Sequence, residues 1–183
     1  MSLSWTRIRA RKPEREMVRK LIWGMAFILL AGLLQSTLFS RIALFHAVPD
    51  FTLGILVYIA YVNGTMTGQI TGFFSGFMLD FLSSSPLGYN ALVRTLIGAL
   101  TGLMKGTFFL DIFFLPMSLC AGATIIKAVC RNLLHLLFAG SVPAYDFFLP
   151  TFWVELGFNV LTAPLLFMLL KLFRNRLTDQ RKS

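Results

Sequence analysis

Five ionisable side chains fall inside long apolar runs of the sequence: Asp80, Arg94, Lys127, Arg131 and Glu155. At bilayer depth each costs a few kcal/mol unless it is paired or hydrated, and such groups serve either as mutual counterions or as a relay for protons or ions. Two acids can neutralise two of the three bases and leave only Lys127 over, which favours structural pairing. Sign and depth along the runs match Asp80 with Arg94, and Arg131 with Glu155. Lys127, Arg131 and His135 recur at i, i+4 and i+8 and so share one helical face. His135 has no companion at metal-ligand spacing, since neither Asn132 nor His46 completes a site with it. No nucleophile with a positioned base, phosphate-cradling loop or carboxylate pair in a cleft is visible. The expectation is a protein that is not an enzyme and carries no cofactor or metal.

The elements that must position these charges are membrane helices. Of 183 residues 56% are hydrophobic and only 14% are charged, and mean hydropathy is +0.73, a balance that a soluble domain of this size would not keep in solution. The net charge of +9 does not signal nucleic acid, because the bases stand at the ends. Arg7, Arg9, Arg11, Lys12, Arg15, Arg19 and Lys20 precede the first apolar run, and Lys171, Arg174, Arg176, Arg181 and Lys182 follow the last. That is the positive-inside pattern at both termini, with attraction to anionic lipid headgroups as a second effect. Cys120 and Cys130 lie ten residues apart in one run, about 15 Å along a helix. This is beyond disulfide reach, so both are packing residues.

In chain order, a basic tail over 1–16 leads into an uncleaved first span over about 17–40, long enough to cross a bilayer. Pro49-Asp50 then starts a second helix of about 13 residues, with Asp50 capping its free amides and lying at the positive end of its dipole. A tight turn at Asn63-Gly64-Thr65 joins it to a third segment over about 65–82. There Gly68, Gly72, Gly76 and Asp80 recur every four residues, a small-residue stripe ending in a carboxylate. In lipid this spacing lets a second helix approach closely. The stripe either packs on the fourth segment, about 89–105 with Gly98, Gly102 and Gly106, or accepts the span of a partner. A link over 106–115 holding Asp111, a fifth run from Pro116 to about Ala139, a loop over 140–146 and a sixth run over 147–170 with Pro164 complete the chain. The predicted fold is an all-α membrane protein: six transmembrane helices over 17–173, short loops and two cytoplasmic ends, the second being a basic tail over 174–183.

Pro49-Asp50 opening the second helix, Gly72-x-x-x-Gly76-x-x-x-Asp80 in the third and Ser85-Pro86-Leu87-Gly88-x-Asn90-Ala91-Leu92 leading into the fourth resemble the bacterial rod shape-determining MreD family. The resemblance covers roughly residues 20–172 and is most specific over 49–92; the three-base face of the fifth run is outside the family pattern. It implies a non-enzymatic, multi-pass protein of the bacterial inner membrane. Such a protein binds the bitopic protein MreC and works with MreB, RodA and a class B penicillin-binding protein in peptidoglycan synthesis during cell elongation. It also implies a distant architectural likeness to the substrate-binding subunits of energy-coupling factor transporters, so a solute-binding vitamin-transporter subunit is the alternative. Three short predicted outer loops, Arg41–Val48, Ser83–Gly88 and Gly140–Asp146, favour the scaffold. The structural or partner-interface candidates are Pro49, Asp50, Gly68, Gly72, Gly76, Asp80, Pro86, Gly88, Asn90, Arg94, Arg131 and Glu155.

Overall fold

The computed structural model describes residues 18–19, 21–35, 49–83, 86–106, 113–137, 147–173 and 177. They form six helices, with no strand among the described residues: α1 (Leu21–Gln35), α2 (Phe51–Asn63), α3 (Thr65–Leu82), α4 (Tyr89–Leu103), α5 (Phe114–Leu137) and α6 (Pro150–Leu172). Helices α5 and α6 are long and apolar enough to cross a membrane, and α1 and α2 are shorter apolar helices. The tail over 1–16, the loops over 41–48 and 140–146, Asp111 and all of 174–183 except Leu177 lie outside the described residues. The sixth helix starts three residues later than the composition suggests, because Pro150 takes a first-turn position, where its missing amide costs nothing.

Helix α2 is the axis of the fold. Every residue from Thr52 to Ala60 is buried, as expected of a helix that is apolar on all sides, and it packs on α3, α4, α5 and α6. It is also short: its 13 residues rise about 20 Å. The ends of the elements align around it. Lys105 donates to the carbonyl of Asn63 (3.1 Å) and the Asn63 amide to the carbonyl of Leu177 (2.7 Å), so the C-terminal ends of α2, α4 and α6 meet.

Helices α3 and α4 share the most extensive interface, and glycine makes it possible. A Cβ on Gly68 would overlap the Gly98 carbonyl, one on Gly72 the Arg94 carbonyl, one on Gly76 the Asn90 carbonyl, and one on Gly102 the backbone of Thr65. The two backbones therefore touch along four turns, and the stripe seen in the sequence is spent on the fourth helix.

The distribution of polarity is inverted relative to a water-soluble domain. Asp50, Thr71, Asp80, Arg94, Thr124, Glu155 and Asn159 are buried, while Phe73, Phe81, Leu136, Leu161, Leu165 and Leu172 stand on the outside. Apolar exterior of this extent marks a surface that meets lipid or protein in place of water.

Candidate functional site: a charge cluster joining four helices

The site is assembled around the residue that precedes α2. As the N-cap, Asp50 accepts from the Leu53 amide through Oδ1 (2.9 Å) and from the Thr52 hydroxyl (2.7 Å), the local capping that Pro49-Asp50 leads one to expect. The same carboxylate faces two cations. Arg94 Nη2 of α4 donates to Oδ1 (2.9 Å) and Oδ2 (3.0 Å), and Lys127 Nζ of α5 donates to Oδ2 (2.7 Å). Lys127 continues to Glu155 Oε1 of α6 at 2.7 Å. Asp50 and Arg94 are 7% and 4% exposed and Glu155 is 8% exposed, while the Lys127 side chain between them is 21% exposed, so the row Arg94, Asp50, Lys127, Glu155 is a largely buried ion chain with each charge next to its opposite.

Neutral groups complete the junction. The Asp50 amide donates to Asn159 Oδ1 (2.8 Å), Asn159 donates to the Thr124 hydroxyl (3.0 Å), and Thr124 donates to the Cys120 carbonyl (2.8 Å). Glu155 and Asn159 are one turn apart on α6, so a single face of that helix meets the Asp50 amide directly and its carboxylate through Lys127. Cys120 is buried beside it with a free thiol.

The pairing of Asp80 with Arg94 expected from sign and depth is replaced. Arg94 is taken by Asp50, while Asp80 caps α4 from the end of α3. Its carboxylate accepts from the amides of Gly88 (2.9 Å), Asn90 (2.8 Å) and Ala91 (3.3 Å) and from the Asn90 side chain (2.9 Å). The physical reason is proximity: the Gly76 contact brings the last turn of α3 against Asn90, and the free amides of a helix N-terminus are strong partners for a carboxylate. Gly88, at φ +90°, supplies the left-handed turn into α4. Pro86 precedes it on the exposed surface.

Lys127 is likewise not left over; it is the bridge between the two acids. Glu155 meets Lys127, and Arg131, one turn along α5, donates its Nε to the Tyr89 hydroxyl (2.9 Å) with its guanidinium 5.8 Å from the centroid of that ring. His135 is half-buried on the same face. Tyr89, Thr124 and Asn159 were invisible as site residues in the sequence, although the i, i+4 spacing of Glu155 and Asn159 on one helix was a readable signal.

The cluster is closed. The cavities on its two sides, one lined by Asp50, Cys120 and Asn159 and the other by Arg94, Lys127 and Arg131, hold about 10 Å³ each, which is room for roughly one water. A family model described as rod shape-determining protein MreD matches residues 17–173 of the chain. No curated protein and no solved structure matches it.

Proposed function

The chain belongs to the rod shape-determining protein MreD family, and from that premise we propose that it is a non-enzymatic scaffold of the bacterial inner membrane. In this reading it binds an MreC-type bitopic protein and helps position the wall-synthesis machinery, namely MreB, RodA and a class B penicillin-binding protein. The proposed topology is six spans over 17–173, with the basic segments 1–16 and 174–183 in the cytoplasm. The basic flanks of the sequence support it. The short α2 fits it as well, since a helix of about 20 Å in a hydrocarbon layer of about 30 Å begins below the surface and needs its cap and counterions there.

The observation that carries the scaffold reading is the closure of the charge cluster. Asp50 pairs with Arg94 and Lys127, and Lys127 with Glu155, across α2, α4, α5 and α6, and the adjoining cavities of about 10 Å³ fall far below the ~300–1,000 Å³ of a small-molecule site. The charge cluster itself therefore offers no room for a solute. The test is genetic. In a rod-shaped bacterium depleted of its own family member, cells should round up and widen, and expression of this chain should restore width and aspect ratio. Unaltered rods on depletion, or rescue by an unrelated six-helix membrane protein, would refute the assignment.

A further inference from the structure

A separate cavity, of about 280 Å³, opens between α2, α5 and α6 at the end of the bundle opposite Asp50. Its walls are Tyr61 of α2, Pro116 of α5, and Pro164 and Phe167 of α6, and Lys171 lines it at the last turn of α6. The cavity persists because its walls cannot collapse: two of them are proline rings with fixed backbone, and Phe167 is buried and held edge-on against Tyr58 at 5.1 Å. The lining is apolar apart from the hydroxyls of Tyr58 and Tyr61 and the ammonium of Lys171, a surface that favours an apolar occupant over water. Charge decides what enters. Lys171 is exposed, and Lys105 stands at the same end of α2 on the Asn63 carbonyl. An occupant thus meets an apolar slot below and positive charge above.

We propose that the α2/α5/α6 cleft binds one acyl chain of an anionic phospholipid, with Lys171 holding the phosphate of its headgroup. Basic pockets between membrane helices on the cytoplasmic side recognise anionic headgroups in this way, and a lysine in a last turn extends its aliphatic stem along the apolar wall while its ammonium reaches the headgroup layer. A transmembrane helix is a poorer occupant, because close helix approach needs small residues and the walls here are Tyr, Phe and Pro. The site is separate from the charge cluster and does not depend on the identity of the protein partner.

Native mass spectrometry of the full-length protein, released from micelles containing equal phosphatidylglycerol and phosphatidylcholine, tests it. The wild type is expected to retain one phosphatidylglycerol in preference to phosphatidylcholine, and K171Q to lower that preference about fivefold, the contribution of one basic residue near an anionic headgroup. R181Q, the same charge change in the tail, should leave it unchanged. M168W, at an exposed residue lining the same cleft, should fill the slot and remove the retained lipid while the protein stays monodisperse. Equal retention of the two lipids, a preference that K171Q and R181Q alter alike, or a lipid that survives M168W would overturn the proposal.

Discussion

Arg94 Nη2 lies 2.9 Å from Oδ1 and 3.0 Å from Oδ2 of Asp50, so the cap of α2 is also the counterion of a guanidinium two turns inside α4. Local helix capping and long-range helix assembly therefore depend on one carboxylate. Removing one partner of a buried pair leaves an uncompensated charge and costs about 3–5 kcal/mol. D50N leaves Arg94 without its counterion and Lys127 with Glu155 alone, so it should lower the thermal midpoint of the purified protein more than E155Q does. D50N combined with R94Q should be less damaging than the sum of the two, with a coupling of roughly 0.5–3 kcal/mol. Additive effects would contradict the pairing.

Asp80 serves a different partner, and the same arithmetic separates the two acids. Loss of its charge-assisted cap on α4 should cost about 1–2 kcal/mol, as N-cap removal does. That cost should be the same whether position 94 is Arg or Gln, because Asp80 and Arg94 share no hydrogen bond in this fold. Thermal unfolding of D80N, R94Q and the double variant reads it out. A strong coupling between them would restore the pairing that their signs suggest.

Lys127 gives a third test. K127M leaves Asp50 and Glu155 short of a cation and should be strongly destabilising. K127M with E155L removes the second buried charge and should recover part of the loss, since an apolar replacement of a buried pair is often tolerated where a broken pair is not. Measured stabilities in the reverse order would mean that Lys127 is hydrated and not bridging.

The glycines between α3 and α4 differ from Gly122 of α5 in a way that one methyl group can measure. Even alanine at Gly72 would overlap the Arg94 carbonyl, whereas alanine at Gly122 of α5 meets nothing within 4 Å. G72A should lose folded protein on size-exclusion chromatography, because two backbones would have to separate. G122A should be neutral or slightly stabilising, by up to ~1 kcal/mol from helix propensity. Equal behaviour of the two would mean that α3 and α4 are not in backbone contact.

Much of this was legible in the sequence, for physical reasons that also mark where legibility stopped. Apolar run lengths and the Asn63-Gly64 and Pro86–Gly88 turns place α2, α3 and α4 within two residues of their observed ends. The four-residue glycine spacing marks a close-approach surface but leaves open whether the fourth helix or a partner's span meets it, and the backbone contacts with α4 decide between them. Asp50 was readable as a cap, but a cap reading places it in a connecting segment and removes it from the count of buried charges. With Asp50 included, the acids at depth are Asp50, Asp80 and Glu155 against Arg94, Lys127 and Arg131, and Lys127 is no longer surplus. Under the proposed topology the length of α2 held that information, since so short a helix would not carry its N-terminus to the surface. The acceptor role of Asp80 was hidden because its partners are mostly backbone amides, which every residue except proline possesses.

The scaffold reading makes its most direct commitment in what the protein holds on to in the membrane. Affinity capture of the full-length chain from gently solubilised bacterial membranes, with mass-spectrometric identification of bound proteins, should recover a bitopic MreC-type protein together with wall-synthesis components. G122A should retain them and D50N should lose them along with the fold. Recovery of a nucleotide-driven transport module, with no elongation component bound, would contradict the account.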